Sequence, residues 1–194
     1  MRTLRLTRID AWRDKPPSYP HPLHRWLTDR GSLTSRIIEH FPAFNLVRLR
    51  QQMLPPYPDE RRHLDFRHGE LAMVREVLLR SGPNALVFAH SVVARNDLRG
   101  AWRGLSRLGG RPLAEMLFRD PKVSRLPMEY HRIDRRHPLY RRAAEVATFS
   151  VSSLWARRSV FLKRGRPLLV TEVFLADAIG NECVSRLATW RAAP

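Results

Sequence analysis

The sequence predicts an α+β fold: a single domain of mainly antiparallel β-sheet with helices packed on it. Three observations predict it. Two pairs of strand-like segments, 70–80 with 85–93 and 155–164 with 167–176, are joined by Ser81-Gly82-Pro83-Asn84 and by a turn at Gly165, which are hairpin signals. Shorter stretches with helical apolar spacing lie between these strands, so helices and sheet belong to one mixed domain. The chain has 194 residues, enough to bury a core without disulfides and suited to one domain.

The elements follow in order. Pro16, Pro17, Pro20 and Pro22 make residues 1–22 an extended N-terminal arm. A short helix is expected from Leu23 to Thr28. A second opens after Ser32, an N-cap residue type, and carries Leu33, Ile37 and Ile38 at helical spacing until Pro42 ends it. Asn45–Met53 reads as a strand and 59–69 as a polar loop. After the first hairpin, Asp97–Leu108 is an expected helix. Pro112 starts another, with Leu113, Met116 and Leu117 behind it. Lys122–Ile133 is expected as a strand and Tyr140–Ala147 as a basic helix. The second hairpin closes the domain, taken as 23–180, with 181–194 as a tail.

Charge is the strongest compositional signal. Lys and Arg number 35 against 18 acidic residues, a net charge of +17, and only Lys15, Lys122 and Lys163 are lysines. Such a surface favours an anionic partner. The arginines are scattered, however, and do not interleave with aromatics as a single-strand-binding face requires. No nucleic-acid partner is therefore expected. No apolar run is long enough to span a bilayer, and the first residues carry no secretory apolar segment, so a cytoplasmic protein without stable membrane insertion is expected. The single cysteine, Cys183, and the unclustered histidines suggest no metal site.

Strand periodicity singles out three ionisable residues. Arg75 sits among Leu71, Met73, Val77 and Leu79; His90 among Leu86, Phe88 and Val92; Glu172 among Leu168, Val170 and Phe174. A lone buried charge is costly, so each needs a partner. One reading is a structural Arg75–Glu172 ion pair with His90 as a satisfied core histidine. The other is a closed pocket in which Arg75 binds a carboxylate and Glu172 binds a hydroxyl or moves a proton. Periodicity leaves both open.

Four segments resemble, in order, the chorismate lyases of ubiquinone synthesis. They are Trp26-Leu27 followed by Gly31-Ser32-Leu33-Thr34; Val74-Arg75-Glu76-Val77-Leu78-Leu79; Leu108-Gly109-Gly110-Arg111-Pro112-Leu113-Ala114-Glu115-Met116-Leu117-Phe118; and Leu154-Trp155-Ala156-Arg157-Arg158-Ser159-Val160-Phe161 with Gly165-Arg166-Pro167-Leu168-Leu169-Val170-Thr171-Glu172-Val173-Phe174-Leu175. The resemblance spans about residues 25–176. It implies a chorismate lyase-like fold and elimination of pyruvate from chorismate to leave 4-hydroxybenzoate, without a cofactor and in a monomer. It also implies that Arg75 and Glu172 contact product and that backbone groups at Leu33 and Leu113 meet its carboxylate. Where relatives often have Gly-Arg or Ala-Arg, this chain has Ala89-His90. His90 is thereby expected to supply a second, titratable cation for the enolpyruvyl carboxylate, drawing a proton when substrate binds. The region 132–153 is longer than in compact relatives and is expected to be a surface elaboration.

Two other classes stand against this expectation. An effector-sensing domain of the same fold type would belong to a transcription regulator, but the residues before Leu23 are too few for a helix-turn-helix. A basic nucleic-acid-binding protein would need a contiguous basic face.

Overall fold

The computed structural model describes residues 12–18, 21–64, 66 and 69–175. The 181–194 tail, Cys183, Pro20 and the end of the last expected strand at Ala176 lie outside them.

Helices α1 (His24–Thr28) and α2 (Leu33–His40) precede strand β1 (Phe44–Leu54). Ser32 caps α2 as expected, its side chain accepting from the Ser35 amide. The first hairpin is β2 (Ala72–Ser81) and β3 (Asn84–Ala94). Helix α3 (Leu113–Phe118), strands β4 (Val123–Arg125) and β5 (Glu129–Asp134) and helix α4 (Pro138–Val146) follow. The second hairpin is β6 (Ser153–Lys163) and β7 (Arg166–Phe174), turning through Arg164 and Gly165, both at positive φ. Consecutive positive-φ residues match the twist of a tight hairpin.

The seven strands form one antiparallel sheet in the order β1-β2-β3-β7-β6-β4, with β5 pairing the other end of β6. Arg13 makes one further bridge to Tyr130, which ties the arm to β5. Both faces are covered. On the front, Leu27, Leu33 and Ile37 of α1 and α2 pack on Val77, Leu79 and Phe174, while Trp102, Leu105 and Leu117 pack on Val93, Phe161 and Leu168. On the back, Leu139 and Ala143 of α4 meet Phe88, Ala156 and Val173, and Leu64 meets Val74, Val92 and Leu169. Each fully buried large side chain of this kind contributes about 1.5–3 kcal/mol. Among the described residues, no helix is long and apolar enough to cross a membrane.

Three expectations need correction. Asp97–Leu108 is not one helix but two 3-10 turns, Arg95–Arg99 and Arg103–Arg107, because Gly100 between them leaves the helical region (φ −117°, ψ −115°). Lys122–Ile133 is two strands, since Pro127 lacks the amide a continuous ladder needs. The 132–153 region is more than a surface elaboration: α4 within it buries Leu139 and Ala143 against the back of the sheet.

Candidate active site

The sheet register creates a pocket on the front face. Arg75 of β2 pairs with Ser91 of β3, Ser91 with Val170 of β7, and Val170 with Ser159 of β6. The adjacent front row runs Val77, Ala89, Glu172, Arg157 and Tyr130. Small side chains at Ala89 and Ser91 line the pocket's floor between bulkier neighbours. The two helical clusters roof the ends, with Leu33 and Thr34 of α2 on one side and Leu113 and Leu117 of α3 on the other. The space is about 590 Å³ when the open solvent at its mouth is included.

Arg75 is buried, at 1% exposure, and lines this pocket. Its Nη2 donates to the carbonyls of Gly109 (3.2 Å) and Arg111 (2.9 Å), in the loop that leads into α3. Gly109 makes that loop possible by adopting φ 59°, where other residues are strained. The Nε of Arg75 is buried without a hydrogen-bond partner. No described carboxylate pairs with this guanidinium. Burial, then repulsion from Arg48, lowers its pKa to about 10, so it remains a cation at neutral pH.

Glu172 lies in the same pocket but pairs elsewhere. Its Oε2 accepts from Arg157 Nε at 2.6 Å. Arg157 Nη1 in turn donates to the carbonyls of Trp26, Leu27 and Asp29 at the end of α1. The expected Arg75–Glu172 ion pair is absent among the described residues: the two line the same space, and Glu172 pairs with Arg157 instead.

Leu33 and Leu113 both line the pocket as the first residues of α2 and α3. Amides of a helix's first turn have no partner within the helix, so these two backbones can present N–H groups to an anion.

His90 is the expected site residue that the structure places elsewhere. Its strand neighbours Ala89 and Ser91 point into the pocket, so its own ring points to the back of the sheet. There it lies between two carboxylates, with Nδ1 and Glu76 Oε1 3.1 Å apart and Nε2 within 3.1 Å of Glu60 Oε1, and it stacks on Tyr57. The Glu60 contact has ion-pair distance without hydrogen-bond alignment. Burial lowers the imidazole pKa, but the charges of Glu60 and Glu76 outweigh it and raise it to about 9. The ring is therefore protonated before any substrate arrives and faces away from the pocket. It is not the pocket's second cation.

Sequence reasoning missed Arg125 and Arg157, both of which line the pocket. The signal was present for Arg157: it alternates with Trp155, Ser159 and Phe161 on one face of β6, as Arg75 does among its apolar neighbours. Arg125 gave little signal because β4 has only three residues. Three guanidiniums and one carboxylate leave the pocket with two uncompensated positive charges. Among the described residues, no three His, Cys, Asp or Glu side chains converge as a metal site.

This geometry can be set beside known proteins. The sequence pattern of the family described as "Chorismate lyase" matches residues 12–184. The chain belongs to the chorismate lyase family. It is 49% identical over 156 residues to a "Probable chorismate pyruvate-lyase" of Thiobacillus denitrificans, covering 80% of this chain and 83% of that one. Proteins of the same name are 44% identical in Nitrosomonas europaea, over 85% of this chain and 93% of the relative, and 46% identical in Aromatoleum aromaticum, over 86% and 92%. Among solved structures, the PhnF C-terminal domain superposes with a TM-score of 0.54 at 16% identity, over 68% of this chain and 82% of that one. PhnF from Mycobacterium smegmatis gives 0.52 at 12% identity, over 77% and 66%. At those identities the likeness is one of fold, and it agrees with the antiparallel sheet of this member of the chorismate lyase family.

Proposed function

We propose that this member of the family is a chorismate pyruvate-lyase, and that its front-face pocket converts chorismate to 4-hydroxybenzoate and pyruvate. That reaction supplies the aromatic ring for ubiquinone synthesis. The observation that carries the reading is Arg75: a buried cation that lines the front-face pocket and has no carboxylate partner among the described residues. A protein keeps such a charge at a cost unless a ligand completes it. Chorismate is a dianion, and the pocket carries two uncompensated cations.

Arg75 binds the ring carboxylate with the donors it does not spend on Gly109 and Arg111, helped by the first-turn amides at Leu33 and Leu113. Glu172 holds the 4-hydroxyl end of the ring with Oε1, the oxygen that Arg157 leaves open. In the elimination, C4 loses its proton and the C4–H electrons form the last ring double bond. The C3–O bond breaks, and its electron pair leaves on the enolpyruvate oxygen. The proton released from C4 is taken up at the methylene carbon of the enolate, which becomes pyruvate. Aromatisation drives the step, so the protein's task is to orient the ring and exclude water. Arg75, Glu172 and the backbone at Leu33 and Leu113 do the orienting with side-chain and amide groups.

The test is direct. Purified protein incubated with chorismate should release 4-hydroxybenzoate and pyruvate in equal amounts. Binding of 4-hydroxybenzoate without any pyruvate release would mark a ligand-sensing domain instead.

A further inference from the structure

Chorismate has two carboxylates, and the arrangement above accounts for one. Of the pocket's other cations, Arg157 has its charge met by Glu172, which accepts from its Nε, while its Nη1 is spent on three carbonyls. His90 is on the wrong face of the sheet. Arg125 remains. It lies on β4, with β3, β7 and β6 between it and the Arg75 strand. Four strand spacings put these two backbones about 19 Å apart, and both side chains reach into the space between.

The Arg125 guanidinium is held in one plane. Its Nε donates to Ser159 Oγ at 2.9 Å and its Nη1 to the Arg30 carbonyl at 2.9 Å. It lies near the rings of Phe161 and Phe118, at 5.2 and 5.9 Å. Its Nη2 has no acceptor among the described residues. Ser159 also ends the row that begins at Arg75 and runs through Ser91 and Val170. The two cations therefore stand at opposite ends of one row across the sheet, and both line the pocket.

We propose that Arg125 is a specificity-determining residue: it binds the enolpyruvyl carboxylate, so that the pocket holds the dianionic substrate at two ends and the monoanionic product at one. This rests on the lyase reading and extends it to the second carboxylate. It also gives an asymmetry to the site. Once the C3–O bond breaks, Arg125 keeps its hold on the leaving pyruvate and none on the aromatic product.

Two unreactive probes separate the ends. One is 4-hydroxybenzoate, with a single carboxylate. The other is 3-(carboxymethoxy)-4-hydroxybenzoate, which adds an ether-linked carboxylate at the ring position of the enolpyruvyl group. Calorimetric titration at neutral pH should show the native protein binding the dianion more tightly. Arg125→Gln should weaken dianion binding about 10–100-fold, the range for losing a charge-assisted contact, and leave monoanion binding within about threefold. Equal losses for both probes, or none for either, would overturn the assignment. If Arg125→Gln fails to fold, Arg125→Lys carries the same test, because it keeps the charge but loses the planar anchoring. A selective loss for the dianion supports the proposal; an equal loss or none refutes it. The chorismate assay is independent: turnover without a selective loss sinks only the role of Arg125, and a selective loss without turnover sinks only the lyase reading.

Discussion

Arg157 Nε meets Glu172 Oε2 at 2.6 Å across adjacent strands, and this pairing is what leaves Arg75 without a counter-charge. Arg157 satisfies Glu172 from the β6 side and ties it to the end of α1. The carboxylate is held still, with one oxygen free for a ligand, and Arg75 keeps its charge for an anion.

The first prediction follows from that pair. Arg157→Met strips a partner from Glu172 and donors from three carbonyls, so it should destabilise the fold by roughly 3–5 kcal/mol, as breaking a buried ion pair does. Urea unfolding measures it. Glu172→Gln keeps the shape and leaves the fold largely intact, but should lower kcat by about 10²-fold with a smaller change in KM, because the ring loses its anchor at the hydroxyl end. A Glu172→Gln enzyme of native kcat would remove Glu172 from the reaction.

Arg75 makes the opposite prediction for stability. It is buried with no carboxylate beside it, so Arg75→Met removes a charge that costs the fold. The thermal midpoint should change little, because relief of the buried charge offsets the lost hydrogen bonds to Gly109 and Arg111. Affinity for 4-hydroxybenzoate should fall by about 2–4 kcal/mol, since a charge-assisted contact is lost. Parallel loss of stability and affinity would make Arg75 a structural residue.

The floor supplies a third prediction. Ala89 sits between Val77 and Glu172 in the sheet, and its small side chain helps to keep the pocket open. Ala89→Val suits a strand, so the fold should persist. The added methyl groups enter the ligand's space, and binding of 4-hydroxybenzoate should weaken by about 1–3 kcal/mol, the usual cost of overpacking. Calorimetry on the folded variant checks it.

Much of this was legible in the sequence, and the reason is the period of two in strands. Alternation alone marked Arg75 and Glu172 as charges on apolar faces, and the hairpin turns fixed both hairpins. Alternation did not say which strands are neighbours or which faces coincide. The pairing of Ala89, not His90, with Glu172 is a fact of register between distant strands, and it moved His90 to the back of the sheet. The same gap hid Arg157: a strand read by itself shows an odd charge but not its partner. Gly100 stopped the expected 97–108 helix through a local backbone choice that apolar spacing does not reveal.

The back-face position of His90 yields the last prediction. A row of alternating charge crosses this face: Arg50 donates to Glu76, Glu76 pairs with His90, and Arg158, farther along the row, donates to Glu129. Glu76 is fully buried and also accepts from Arg142 of α4, so the row ties α4 to the sheet, and Glu60 beside His90 ties in the chain before Leu64. The folded pKa of His90 is raised from 6.5 to about 9. A raised pKa means that the folded state holds the proton more tightly than the unfolded chain. Its stabilising contribution is complete below 6.5, declines as pH rises above that value, and is lost as pH passes through about 9. Glu76 has the opposite sign: its pKa falls from 4.5 to about 2, so its contribution is present above 4.5 and is lost as pH drops through about 2. Thermal unfolding followed from neutral to alkaline pH should show a falling midpoint for the native protein. His90→Arg keeps the charge through that range and should flatten the curve. Substrate KM should be no more pH-dependent in the native protein than in His90→Arg, because the imidazole faces away from the pocket. Two equally flat stability curves would mean that His90 is already neutral, and a KM that tracks His90 would put it back in the site.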